Sequence, residues 1–199
     1  MKLQNTNIMT LKTKYQEKCN KQSDINQLLP YLKMYADRCE HVTEMGTRYF
    51  VSTYAFLASK AKQVITYDIE MQKLQFLECK ALCDKENKSL KYIIGDTLKV
   101  EIEETDFLFI DTWHVYNQLK QELELHHNKV RKYIGFHDTT TYAHVGEDEY
   151  HNVTQSGGFN SEGRGLMDAI DEFLENHSEW TIDLKKENNN GLTIIKRIK

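Results

Sequence analysis

The sequence predicts an α/β fold, a doubly wound and mainly parallel sheet that ends in an antiparallel C-terminal hairpin. Three observations predict it. From His41 onward, short apolar runs alternate with amphipathic stretches, the pattern of successive βαβ units. Two of those runs, Asp106-Phe-Leu-Phe-Ile-Asp111 and Lys132-Tyr-Ile-Gly-Phe-His137-Asp138, are apolar and end in an acid, as strands that point into a ligand crevice do. Near the end, Trp180-Thr-Ile-Asp-Leu and Leu192-Thr-Ile-Ile-Lys-Arg-Ile flank Asn188-Asn189-Asn190-Gly191, which is hairpin turn chemistry.

Residues 1–22 are polar and weakly patterned. Ser23-Asp24 then offers an N-cap ahead of Ile25, Leu28, Leu29, Leu32 and Tyr35 at helical spacing, which predicts a helix reaching about Arg38. Pro30 lies inside that pattern and should bend or restart the helix, because proline lacks a backbone donor and clashes with the preceding turn. The predicted strands are 41–45, 63–68, 91–95, 106–111 and 132–137, with helices near 48–60, 70–87, 114–128 and 163–177. Right-handed crossovers place those helices on both faces of the sheet. Residues 139–163 are rich in Gly, Ser, Thr, Asn and His and show little periodicity; a loop of that length beside a site is expected to be a lid or substrate loop. The organisation expected is a helical extension over 1–40 and a domain over 41–199.

Composition narrows the function classes. A chain of 199 residues with 40% hydrophobic and 28% charged content suffices for one core of ordinary size. The net charge of -4 comes with no basic stripe to neutralise phosphates, so small-molecule substrates are expected and a nucleic-acid partner is not. No apolar run approaches the ~20 residues of a membrane span, and the opening residues lack the apolar stretch of a signal peptide, so no membrane association and a cytoplasmic location are expected. Cys19, Cys39, Cys79 and Cys83 show no C-x-x-C spacing and should pack as small hydrophobes.

The candidate site residues cluster at strand ends. The first strand runs into Glu44-Met45-Gly46-Thr47-Arg48 and then Ser52, where a glycine permits close backbone approach and a following helix N-terminus offers donors. The dinucleotide pattern G-x-G-x-x-G is missing, which argues against a nicotinamide or flavin. Asp68 ends the second strand just over twenty residues after Gly46, the spacing of a ribose-binding carboxylate. Gly95-Asp96 ends the third, and the fourth and fifth bring Asp111, His114, His137 and Asp138 to one edge as a metal or acid/base constellation. His126 and His127 have no ligand spacing and are expected to face water, Tyr54 and Phe56 are expected in the core, and Arg48 is expected to be solvated.

Taken in order, Glu44-x-Gly46 with Ser52, Asp68, Gly95-Asp96 and Asp111 resembles the class I S-adenosylmethionine-dependent methyltransferases over about residues 40–198. Within them, Ile110-Asp111-Thr-Trp-His114-Val-Tyr116 followed by His137-Asp138 is similar to the metal-dependent O-methyltransferases, nearest to the branch of sugar O-methyltransferases and the cephalosporin hydroxylase-like family. The resemblance implies a Rossmann-like fold and S-adenosylmethionine as methyl donor. It implies Glu44, Gly46 and Ser52 at the donor's amino-acid end, Asp68 on the ribose, Gly95 and Asp96 at the adenine, and Asp111 both at the donor and on a metal. Asp111, His137 and Asp138 become ligands of a divalent metal, magnesium or manganese, and His114 the base that takes a hydroxyl proton from a sugar or other small molecule. Relatives often assemble through N-terminal helices, which implies a homo-oligomer.

Two departures stand out. Phe50 occupies the place of the family's second glycine, which predicts a different path for the donor loop, and His137 replaces an acid, where imidazole suits manganese, iron or zinc better than magnesium. Two other readings use part of the pattern: a cofactor-binding module without catalysis, and a metal-dependent hydrolase or oxygenase built on His114, His137 and an acid.

Overall fold

The computed structural model describes residues 9–151 and 161–199. The opening residues and positions 152–160, the centre of the long loop, lie outside the described residues. The chain runs through α1 (Leu11–Asn20), α2 (Leu29–Ala36), β1 (His41–Met45), α3 (Thr53–Leu57), β2 (Gln63–Asp68), α4 (Lys73–Lys85), β3 (Ser89–Ile94) and β4 (Thr105–Ile110). It continues with α5 (Tyr116–His126), β5 (Val130–His137), α6 (Glu147–Tyr150), α7 (Leu166–Asn176), β6 (Trp180–Lys186) and β7 (Leu192–Arg197).

The seven strands form one sheet in the order β3-β2-β1-β4-β5-β7-β6. The first five are parallel, and β7 enters antiparallel between β5 and β6, the expected hairpin. β4 shows why the sheet is sandwiched. All six of its residues are buried, with Phe107 and Phe109 in the core beneath α1–α4 and Leu108 and Ile110 in the core beneath α5 and α7. A strand buried on both faces is mainly apolar, and the two polar residues of β4, Thr105 and Asp106, stand at its start.

The N-terminal region differs from expectation. α1 falls in the stretch read as unpatterned, because only Leu11 of its ten residues is fully buried and no apolar stripe marks it. A reciprocal cap starts it: Thr10 Oγ1 accepts from Thr13 N at 3.0 Å, and Thr13 Oγ1 accepts from Thr10 N at 2.8 Å. α2 begins at Leu29 and not at Ile25, without a Ser23 or Asp24 side-chain cap, because Pro30 is tolerated in a first turn, where its missing N–H has no partner to lose. Both helices contribute Leu11, Leu28, Leu29 and Leu32 to the same core as Phe107 and Tyr54. α3 is also shorter than the expected 48–60, since residues 48–52 are spent on turns.

Between β1 and β4 the strand order reverses, and the crevice outside the carboxyl ends of the strands opens there. Gly46 follows β1 and Asp111 follows β4 across this point. Asp111 N donates to Met45 O at 2.9 Å, and a Cβ on Gly46, which has φ +85°, would overlap the Asp111 carbonyl.

Phe50 keeps a glycine's backbone in this loop. Its φ is +62°, and its fully buried ring packs 5.0 Å from Tyr92 and 6.3 Å from Phe76. Left-handed backbone costs a non-glycine residue on the order of 1–3 kcal/mol, while deleting a buried phenyl ring costs about 3–5 kcal/mol. Packing therefore wins. Phe50→Gly is expected to lower folding stability by roughly 2 kcal/mol despite relieving the backbone, measured by urea denaturation; a stabilised variant would show that strain dominates.

Candidate functional site

The cleft at the switch point measures about 230 Å³. Gly46 and Arg48 line it from the loop after β1, and Asp111, Thr112 and His114 from the loop after β4. Asp138, Tyr142 and Glu147 line it from the segment after β5, Asn190 from the β6–β7 turn, and Asp24 from the chain ahead of α2.

Its chemistry is concentrated in one centre. Asp111, His114 and Asp138 present ligand atoms within 4.8 Å of one another. His114 Nε2 lies 2.9 Å from Asp138 Oδ2 and 3.3 Å from Asp111 Oδ1. His137 Nδ1 faces the same two oxygens, at 3.1 and 3.3 Å. The outer nitrogens point away from the acids: His114 Nδ1 meets Glu147 Oε2 at 2.7 Å, and His137 Nε2 meets the Asn189 carbonyl at 3.0 Å. The rings differ in access, since His114 lines the cleft whereas the His137 side chain is 1% exposed beneath it.

The electrostatics follow from this packing. Burial works against charge on each imidazole, but the surrounding carboxylates outweigh it and raise both well above the ordinary histidine value. Burial likewise disfavours ionised Asp111, Asp138 and Glu147, and the imidazoles reverse that, holding all three below the ordinary carboxylate range. Asp138 sits at φ +59°, and its buried Oδ1 has no hydrogen-bond partner among the described residues. A buried carboxylate oxygen left bare beside two imidazoles and a second acid is a donor set that fits a divalent cation.

Glu44 and Ser52 lie under the cleft, not in it. Glu44 is fully buried and accepts hydroxyl donors from Ser52 at 2.5 Å, Thr53 at 2.6 Å and Thr66 at 2.8 Å. Desolvation dominates over these bonds and pushes its pKa up to about 7. Asp68 stands at the end of β2, where it accepts from Arg48 N at 2.6 Å and Glu70 N at 3.0 Å. Gly95 N donates to the Asp68 carbonyl, which puts the two beside each other, while the Asp96 carboxylate is engaged locally by Lys99 and Leu98 N. Arg48 is exposed as expected.

Sequence reasoning missed several contributors. Glu147, Tyr142, Asn189 and Asn190 come from segments without periodicity, although an acid run after Gly146 marks a helix start and three consecutive asparagines before a glycine mark left-handed turns. Glu122 is buried on α5 and accepts from Thr97, Thr112 and Gln118, joining the loops after β3 and β4. Ile69, 70% exposed beside Asp68, offers an apolar face on the same edge. His126 corrects an expectation: it is buried, with Nε2 2.8 Å from the Thr97 carbonyl, and His127 packs on Phe173 and His177.

No family model and no curated protein matches the chain. Solved structures do. The chain is similar to a structural-genomics protein of Corynebacterium glutamicum at TM-score 0.66 and 11% identity, covering 98% of this chain and 93% of that one. It is similar to the Bradyrhizobium japonicum N-methyltransferase NodS in complex with S-adenosyl-L-homocysteine at TM-score 0.60 and 10% identity, covering 96% and 100%. The fold is the Rossmann-like methyltransferase fold. A Staphylococcus aureus protein provisionally named a caffeoyl-CoA O-methyltransferase also superimposes, at TM-score 0.57 and 17% identity, over 86% of this chain and 83% of that one. No helix among the described residues is long and apolar enough to cross a membrane.

The Glu44 environment makes a stability prediction. A carboxyl raised from 4.5 to about 7 on folding contributes stability below pH 4.5 that is lost as pH rises through 7. Subtracting the pH–stability curve of Glu44→Gln from that of the wild type should leave a fall of roughly 3 kcal/mol across that window. A flat difference would mean that the hydroxyl donors fully compensate burial.

Proposed function

We propose that the chain is an S-adenosylmethionine-dependent methyltransferase that acts on a hydroxyl of a sugar or other small polyhydroxylated molecule, with help from a divalent metal. The observation that carries this reading is the convergence of two carboxylates and two imidazoles at the switch point of a methyltransferase fold, directly across from Gly46.

Asp68 would hold the ribose hydroxyls, with Ile69 and the Gly95-Asp96 turn beside the adenine, and Gly46 and Arg48 would line the path to the methionine end. Glu44 and Ser52 would shape that loop from beneath. Bound there, S-adenosylmethionine supplies an electrophilic methyl group, and a divalent cation lowers the pKa of an adjacent hydroxyl. Asp111, His137 and Asp138 would hold the cation. His137 is sealed under the cleft, whereas His114 lines the opening and would take the hydroxyl proton. Asp24, Glu147 and Asn190 at the mouth offer hydrogen-bond acceptors to a polyhydroxylated ligand. The chain would work in the cytoplasm, and the segment 1–40 would be the surface for self-association.

Calorimetric titration with S-adenosylhomocysteine is expected to show micromolar binding, and His114→Ala to keep that binding while losing about 10²–10⁴-fold in turnover. An absence of binding under every metal condition would overturn the reading in favour of a metal-dependent hydrolase or oxygenase using the same centre. Manganese is expected to bind roughly tenfold or more tighter than magnesium, because an imidazole ligand suits a borderline ion. Equal affinities in equilibrium dialysis would remove His137 from the ligand set.

A further inference from the structure

Arg48 lines the cleft from the loop after β1, and its guanidinium is unpaired. No acceptor among the described residues meets it, and it only leans on the exposed Tyr49 ring, 5.6 Å from the centroid. Elsewhere Arg131 and Arg164 hold carboxylates, and Arg197 holds the His127 carbonyl. The Arg48 backbone is left-handed, with φ +43°, and the Asp68 carboxylate accepts from its N–H at 2.6 Å. Two residues on, Phe50 carries the same kind of strain and buries its ring in return. Arg48 is exposed and buries nothing, so no packing within the fold offsets its conformation.

The charges around Arg48 say what it could hold. Asp24, Asp111, Asp138 and Glu147 line the same cleft, and Arg48 is the one arginine or lysine among the lining residues. S-adenosylmethionine brings a sulfonium and an ammonium, which carboxylates favour, and an α-carboxylate, which they repel. Ser52, implied by the resemblance at that end of the donor, is buried and has its only hydroxyl proton on Glu44 Oε1 at 2.5 Å. It has none left to give an anion. We propose that Arg48, in place of the Ser52 hydroxyl, binds the α-carboxylate of S-adenosylmethionine, a role that rests on the methyltransferase reading. The planar fork of a guanidinium matches a carboxylate with two parallel N–H bonds. Asp68, proposed for the ribose, also fixes the Arg48 backbone, so one donor molecule would meet the two residues in turn.

Calorimetric titration of the full-length protein, with magnesium present, can compare two donors that differ in a single group: S-adenosylmethionine and decarboxylated S-adenosylmethionine. Arg48→Gln should weaken the first roughly tenfold, a modest loss for a charged bond because the site is exposed, and leave the second within about twofold of wild type. Arg48→Lys, which keeps the charge without the fork, should fall between. Ser52→Ala should weaken both donors by the same factor, because it alters the loop and not the carboxylate contact. Wild-type affinity for S-adenosylmethionine in Arg48→Gln would overturn the proposal. So would an equal loss for both donors, which would make Arg48 a support of the loop, or a loss confined to S-adenosylmethionine in Ser52→Ala. A wild type that binds neither donor would sink the methyltransferase reading and this role with it, whereas a wild type that binds both leaves that reading standing whatever the Arg48 variants do.

Discussion

The cleft depends on one close approach, that of the backbone after β1 to the backbone after β4. Gly46 packs so tightly on the Asp111 carbonyl that no side chain fits between them, and the Asp111 N–H to Met45 carbonyl bond carries the ladder one residue past the end of β4. A strand end is normally where hydrogen bonding stops and the chains diverge. Holding these two together one residue longer makes the reversal of strand order a narrow slot. The loop that would receive a methyl donor then lies directly beside the acid that opens the ionic centre. Gly46 is required here for its conformation as well as its size, since φ +85° strains any side chain.

Two buried carboxylates hold the loops that flank this contact. Glu44 gathers the hydroxyls of Ser52, Thr53 and Thr66 under the first loop, and Glu122 gathers Thr97 and Thr112 with the Gln118 amide under the third and fourth. Each has three donors, and for both the raised pKa shows that desolvation still outweighs them. Apolar residues at these positions would avoid that cost. What they could not do is set the direction of three donors at once, and a carboxylate surrounded by hydroxyls tolerates few arrangements of the loops that supply them. The scaffold of the cleft is polar for this reason, although the layers above and below the sheet are almost wholly apolar.

The legibility of the sequence follows from the range of the interactions. β1 and β2 match their predicted bounds, and the other parallel strands match within two residues, because short apolar-rich runs set between helical stretches mark them, most clearly the buried Phe-Leu-Phe-Ile of β4. The acids and histidines at strand ends were legible as a group for the same reason: topology alone brings the ends of β4 and β5 together. α1 was not legible, since its stability comes from a threonine cap and a bond from Leu11 N to Glu86, 75 residues away. The distant partners Glu147 and Asn189 were hidden likewise: the local signals mark a helix start and a turn, not the imidazoles those residues meet 33 and 52 residues away. Phe50 was read as diverting its loop, yet the backbone holds the left-handed turn that a glycine would take. Burial of the ring among Tyr92 and Phe76 compels it, and no local propensity could reveal that.

The two imidazoles at the centre pose one electrostatic problem and share its solution. Each has its outer nitrogen against a group that only accepts, the Glu147 carboxylate for His114 and the Asn189 carbonyl for His137, so each outer nitrogen carries a proton. Both inner nitrogens then face the same pair of aspartate oxygens. A lone pair aimed at a carboxylate is repulsive, and only two things relieve it: a second proton on each ring, or a cation between the rings and the acids. Protons and a divalent ion would compete for these positions, because a ligand must be deprotonated to bind metal. The elevated histidine and depressed aspartate pKa values describe the proton-filled form of that competition. A divalent ion held by Asp111, His137 and Asp138 would displace those protons and give the bare Asp138 oxygen a partner. The charge of the two acids is thus balanced by whatever fills the space before the inner nitrogens, protons on the rings in one form and a cation in the other.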